Sequence, residues 1–196
     1  EWLLDHGNEL SIQSDQVEII KDFELEKISF LKTPNQVLAV FSHRKETEFK
    51  PKQGKVTLML EDIRDPGNFG TIIRIADWFG IPDLICSRGC VDMYNPKVVQ
   101  STMASLGRVN TYYTSLEDVC NKFPDIKLYA SVLGGTPVSE VQVGPPAFLL
   151  IGNEGAGISD EMITRATEKI SIPGYGEAES LNAAVATGIL LYAFVR

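Results

Sequence analysis

Histidine and cysteine are scarce in this chain, at two and three among 196 residues. With only His6 and His43, and no histidine beside a candidate serine, a Ser-His-Asp hydrolase triad is excluded from the favoured readings. Cys86, Cys90 and Cys120 cannot all pair and nothing suggests secretion, so they are read as reduced thiols. Cys86-x3-Cys90 invites a metal reading, but so few histidines could complete a site that small buried residues, and no metal, are expected. No run approaches the roughly eighteen apolar residues of a membrane span, and the opening Glu-Trp-Leu-Leu-Asp lacks a signal-peptide layout. The expectation is a cytoplasmic protein with no membrane partner. The dinucleotide fingerprint and the phosphate-binding G-x-x-x-x-G-K-[ST] loop are both missing, which removes the common nucleotide folds as favourites. Positive charge is short too: 18 basic against 26 acidic residues give a net charge of −8, the wrong sign for non-specific nucleic-acid binding. The chain starts at Glu1 without an initiator Met and stops at Arg196 behind an apolar helix, which reads as a fragment trimmed mainly at its front.

What is present is globular: 44% hydrophobic residues suffice for one ordinary domain and a small appendage. Residues 43–55 are charged, carry a Pro and a Gly and show no amphipathic period, so they read as a linker. Ahead of it, residues 1–42 offer a strand at Val17–Ile20, a helix at Glu24–Leu31 and a strand at Gln36–Phe41. That is thin for an independent core. Over 56–196, apolar strand-like runs alternate with helical patterns, the mark of a mostly parallel sheet flanked by helices. The runs are Val56–Leu60, Leu84–Cys86, Val109–Tyr112, Leu128–Val132, Phe148–Ile151 and Lys169–Ile172. Helices are predicted at Thr71–Phe79, at Pro96–Leu106 stopped by Gly107, at Leu116–Phe123 capped by Ser115, and at Leu181–Phe194, which is apolar on most faces.

Three segments carry candidate chemistry. The first, Asp65-Pro66-Gly67-Asn68-Phe69-Gly70 running on to Arg74, joins a strand to a helix where open α/β folds place ligands. Pro66-Gly67 is equally an ordinary turn, and Asn68 and Arg74 lie about 120° apart around a helix axis, so a shared pocket needs the long arginine to reach back. The second is Ile151-Gly152-Asn153-Glu154-Gly155-Ala156-Gly157-Ile158-Ser159, a buried strand opening into a glycine-rich turn before a helix capped by Ser159. Such a turn presents backbone amides, and an Asn-Glu pair inside it calls for a polar partner. The third runs from Ile172-Pro173-Gly174 to Ser180-Leu181-Asn182, a loop leading to the terminal helix, with Ser180 as its candidate cap and Asn182 in its first turn.

In this order, the three segments resemble the signature motifs of the SpoU/TrmH-type RNA methyltransferases of the SPOUT class, and they span nearly all of residues 56–196. The resemblance implies a deep trefoil knot at the carboxyl end of the α/β domain, S-adenosylmethionine as cofactor, an RNA substrate (tRNA or rRNA) and a homodimer. The front segment, through Lys27–Val40, more loosely resembles the later part of a small ribosomal-protein-like RNA-binding domain. Residues 1–42 are therefore expected to be a truncated α/β substrate-binding domain, 43–55 a linker and 56–196 the catalytic domain.

By the same resemblance, Arg74 belongs at the reacting ribose, while Asn68, Glu154, Ser180 and Asn182 shape the site. Leu133, Gly134, Ile151, Gly152, Asn153, Glu154, Gly155, Ile172, Pro173, Ser180 and Leu181 would hold the cofactor. The implied reaction is methylation of a ribose 2′-hydroxyl. A guanidinium with a pKa above about 12 is a poor general base, so Arg74 is read as a phosphate clamp and electrostatic stabiliser. The rival readings are the same fold binding RNA or cofactor without turnover, against which the intact Asn68, Arg74, Glu154 and Asn182 argue, and a Rossmann-like oxidoreductase, which lacks its fingerprint.

Overall fold

The computed structural model describes residues 17–44 and 47–195, which fall into two compact units divided after Lys45. Among the described residues of the front unit the regular element is helix α1, Asp22–Ile28, whose Glu24 carboxylate accepts from the Lys21 N–H at 2.8 Å. No described residue of this unit is buried. The predicted strands at Val17–Ile20 and Gln36–Phe41 are not formed, and the helix ends three residues short of the expected Leu31. Strand pairing needs an apolar face to cover, and residues 17–44 bury none.

The second unit is an α/β sandwich. Its elements are β1 (Val56–Leu60), α2 (Pro66–Trp78), β2 (Asp83–Cys86), α3 (Pro96–Ser101), β3 (Asn110–Tyr113), α4 (Leu116–Lys122), β4 (Lys127–Pro137), β5 (Ala147–Ile151), α5 (Asp160–Arg165), β6 (Glu168–Ser171) and α6 (Ala183–Phe194). All six strands pair in parallel, in the order β3-β2-β1-β5-β4-β6. Strands β1 and β5 are buried at every position, which is why their sequences are unbroken apolar runs rather than alternating ones. One face of the sheet packs Phe69, Ile72, Ile73 and Ala76 of α2 with Leu190, Leu191 and Phe194 of α6. The other packs Leu116 and Val119 of α4 with Met162 of α5.

Three sequence expectations change here. Phe49, inside the segment read as a linker, is buried in the second core cluster and meets Tyr112 and Phe123 edge to face, while Lys52 pairs with Asp83 at 3.0 Å. The charged residues around Phe49 hid this anchor from a composition-based reading. Helix α2 begins at Pro66 rather than Thr71, because the Asp65 carboxylate accepts from Asn68 N–H at 2.7 Å and Pro66 occupies the first turn. Helix α3 stops at Ser101 instead of reaching Leu106, since Met103 and Ala104 turn left-handed at φ 49° and 70°.

The chain runs from β1 outward to β2 and β3 on one side of the sheet, whereas β4 and β6 lie on the other side of β5. The ends of β1 and β5 are therefore a topological switch point, where open α/β sheets leave a crevice for ligands. Beyond a register break between Ser131 and Thr136, β4 continues against β6, and a Cβ on Gly135 would sit 2.7 Å from the Lys169 carbonyl oxygen. Only glycine allows that approach.

Candidate active site

Three of the side chains singled out in sequence meet at the carboxyl edge of the sheet although they are far apart in the chain. The amide of Asn68, in the first turn of α2, donates to Glu154 Oε1 at 2.6 Å. Its oxygen accepts from Asn182 Nδ2 at 2.8 Å. Asn182 in turn caps α6, its Oδ1 accepting from the N–H groups of Ala184 and Val185. The cap is thus Asn182 rather than Ser180, and the terminal helix starts at Ala183 rather than Leu181. Either residue type caps well, but only the amide can cap with its oxygen and still donate across the site with its nitrogen.

The glycine-rich loop after β5 is held from within. Asn153 and Gly157 exchange backbone hydrogen bonds, and the Asn153 side-chain oxygen accepts from the N–H groups of Gly155 and Ala156, each at 2.9 Å. Its amide nitrogen donates to the Asp62 carbonyl at 2.8 Å. The Asn153 side chain is therefore committed to the loop's own shape. Gly152 admits no side chain, because a Cβ there would lie 2.5 Å from Gly157 backbone. Ser159 caps α5 as expected and also donates to Glu61 Oε1 at 2.7 Å, tying this loop to the end of β1.

The remaining candidates surround these loops. Ile151 is buried and its carbonyl accepts from Glu61 N–H, so it works through backbone alone. Ile172 packs against the core, and Gly134 sits at φ 73°. Leu133, within β4, and Leu181, just before α6, expose 78% and 48% of their surface, leaving apolar groups with room for an apolar partner. Pro173 and Ser180 are exposed. Backbone N–H groups from Gly174 to Leu181 make no hydrogen bond among the described residues, so they are available to a ligand. Open amides and uncovered leucines in these segments suit a ligand with both polar and apolar parts.

Arg74 lies on the exposed side of α2, and its side chain has no hydrogen bond or ion pair among the described residues. Its distance from Asn68 around the helix is that of the sequence argument, and the Asn68 network closes without it. One turn further on, Asp77 takes a fork from Arg108, with Ser105 donating to the same carboxylate; Arg108 and Ser105 hold that carboxyl below its usual range.

Sequence reasoning missed Asp62. It sits at φ 55°, and its carboxylate accepts from Ser87 Oγ at 2.8 Å and from Arg64 at 2.8 Å, which together keep it ionised. An aspartate just past a buried strand, in a left-handed conformation that asparagine and aspartate tolerate best among side-chain residues, was the available signal.

The profile described as the SpoU rRNA Methylase family matches residues 55–192. Among relatives, a 23S rRNA (guanosine 2553) 2′-O-methyltransferase of Bacillus subtilis is 33% identical over 82% of this chain, which spans 64% of that protein's length. A tRNA (guanosine 18) 2′-O-methyltransferase of Aquifex aeolicus is 31% identical over 72% of this chain and 69% of its own. The AdoMet-bound rRNA methyltransferase from Sinorhizobium meliloti superposes with a TM-score of 0.82 at 30% identity, covering 89% of this chain and 69% of that one.

Proposed function

The chain belongs to the SpoU rRNA methylase family, with relatives named as rRNA and tRNA 2′-O-methyltransferases and one solved with AdoMet bound, and from that premise we propose how the protein containing it works. It methylates a ribose 2′-hydroxyl in structured rRNA or tRNA. The observation that carries the reading is the Asn182-Asn68-Glu154 chain, which joins all three motifs at one edge of the sheet.

S-adenosylmethionine supplies an already activated methyl group, so alignment of the acceptor oxygen is the larger task left to the protein. Leu133, Gly134, Gly152, Gly155, Ile172, Pro173, Ser180 and Leu181 would form the cofactor's cradle, with the backbone amides of the last loop turned to it. Asn68, fixed between Glu154 and Asn182, would orient the ribose. Arg74, charged and unpaired, would clamp the adjoining phosphate and stabilise negative charge on the attacking oxygen.

The proposal extends to three features of the whole protein. Close threading of β4 past β6 at Gly135 supports a carboxyl-terminal knot. The front unit would belong to an RNA-binding domain, since the likeness to the Sinorhizobium enzyme extends over 89% of the chain and so into that unit. A homodimer would cover the apolar side chains that α2 and α6 leave exposed, among them Trp78 and Tyr192.

The cofactor assignment is tested by thermal melting. A ligand that binds only the native state at about a hundred times its dissociation constant adds roughly 2.7 kcal/mol, a rise of several degrees in a domain of this size. S-adenosylmethionine or its demethylated product should produce that rise. No shift and no calorimetric heat at millimolar ligand would remove the cofactor from the scheme.

A further inference from the structure

A concavity of about 470 Å³ is lined by the segments that follow four strands. Asp62 and Arg64 follow β1, Arg88 follows β2, Thr114 follows β3 and Asn153 follows β5. We propose that this pocket seats a nucleotide of the substrate RNA that flanks the methylated one, with its phosphate against Arg88. The inference rests on the reading of the protein as an RNA methyltransferase and assigns that enzyme a substrate subsite.

Position is the first argument. The candidate cofactor residues lie within β4 and in the loops after β5 and β6, whereas this pocket is lined by the segments after β1, β2, β3 and β5, the other half of the switch-point crevice. Its volume is within the several hundred Å³ typical of small-ligand sites and large enough for a ribonucleotide.

Charge is the second. Arg44, Arg64, Arg108 and Arg165 all have partners within the protein. Among the described arginines, Arg74 and Arg88 alone have none, and both are exposed. The pocket also carries the carboxylates of Glu61, Asp62 and Glu117, and Arg64 is paired with Asp62, so Arg88 is its one uncommitted guanidinium and the place for a phosphate. In a protein of net charge −8, RNA is best held where cationic side chains are left uncommitted. One such group is assigned to the ribose being methylated. The other marks where the strand continues.

Rigidity is the third. Asp62 N–H donates to Ser87 Oγ at 2.9 Å and the Asp62 carboxylate accepts back from the same hydroxyl, so the loops after β1 and β2 are locked together. A Cβ on Gly89 would lie 2.1 Å from Asp62 Oδ1, so only glycine lets the second loop close this far. Glu61 and Asn153 tie the loop after β1, and through Asp62 and Ser87 the loop after β2, to the segment that carries Glu154. A nucleotide in the pocket is thereby held in register with the ribose at Asn68, which suits neighbouring positions on one strand. The hydroxyl of Thr114 supplies a hydrogen-bonding group for a base edge.

The test uses the full-length protein and total RNA from a strain lacking its gene, with tritiated methyl transfer as the readout. Arg88→Ala, at an exposed position, should raise KM for RNA about tenfold with kcat and S-adenosylmethionine affinity unchanged, as expected for one charge-assisted contact. The log–log dependence of RNA binding on salt should become shallower by about one unit. Thr114→Trp, which fills the pocket without altering charge, should raise KM likewise. RNA carrying 4-thiouridine should photocrosslink to residues 61–64, 87–89 or 114–117 of the wild-type protein. If wild-type protein transfers methyl groups while both variants keep KM within twofold, or crosslinks fall wholly elsewhere, the pocket assignment is overturned and the methyltransferase reading stands. If the wild type transfers none, the methyltransferase reading fails and the subsite falls with it.

Discussion

The amide of Asn68 has one workable orientation. A carboxylate only accepts, so the Asn68 nitrogen must face Glu154, and Asn182 must present its own nitrogen because its oxygen is used by the helix cap. Asn68→Asp would set a second carboxylate against Glu154, and two such groups at hydrogen-bond distance share a proton, raising the apparent pKa of the pair. Methyl transfer by this variant should fall at least about tenfold at pH 8 and partly recover as the pH drops below the raised value, because the protonated carboxyl can then donate to Glu154 as the amide did. Asn68→Ala should lose activity without that acidic recovery. A pH profile of kcat for both variants decides it: equal profiles would detach Asn68 from Glu154 in the working enzyme. Arg74→Ala should lower methyl transfer by about a hundredfold or more while S-adenosylmethionine binding persists, and lysine should rescue poorly because a point charge does not reproduce a guanidinium fork. Near-wild-type turnover by the alanine variant would take Arg74 out of the scheme. Asn68, Glu154 and Asn182 were legible in the sequence because each stands in one of the three motifs, the first two beside glycines. Asp62 and Arg88 were not, since their meaning depends on loops from separate strands converging.

At the scale of elements, all six strands were visible, most plainly β1 and β5, because the centre of a parallel sheet covered on both faces writes near-continuous apolar runs. Helix ends were less legible, for reasons that lie in competing local signals. Pro66-Gly67 reads as a turn until Asp65 is seen to cap it, and no residue around Met103 announces the left-handed break that shortens α3. The strands expected at Val17–Ile20 and Gln36–Phe41 follow local propensity, but their described surroundings give them nothing to pack on. The packing of α2 on α3 depends on Gly70, where a Cβ would lie 2.5 Å from Ser101 Cβ and 2.8 Å from the Val98 carbonyl oxygen. Gly70→Ala improves helix propensity by up to about 1 kcal/mol yet forces two backbones apart, an overpacking that costs about 1–3 kcal/mol. The expected net result is a melting temperature lower by a few degrees with the cofactor cradle intact. An unchanged or higher melting temperature would mean that the two helices adjust freely.

For the whole molecule, the terminal helix that reads as apolar all round turns out to divide its labour. Ala183, Ala184, Thr187, Leu190, Leu191 and Phe194 of α6 face the core, and Gly188 lies near Ile75 of α2, so several of the small residues that would admit a partner helix are used inside the chain. Val185, Ile189 and Tyr192, spaced along one stripe, remain 51%, 40% and 54% exposed. Trp78 on α2 is 85% exposed, an unusual state for so large an apolar group. Helices α2 and α6 pack against each other, so these four residues belong to one side of the unit. A second copy of the chain would cover them, and an obligate interface of this kind buries more than about 2,000 Å² with a largely apolar centre. Light scattering should therefore give twice the 21.6 kDa chain mass across a dilution series into the micromolar range. Substitution at buried Leu190 would disturb the core rather than the interface, so the discriminating changes are Ile189→Asp and Trp78→Glu. Each should convert the dimer to folded monomer, with circular dichroism unchanged and the mass halved. A mass of one chain for the wild type at every concentration would sink the dimer, and a doubled mass for both variants would place its interface elsewhere on the surface.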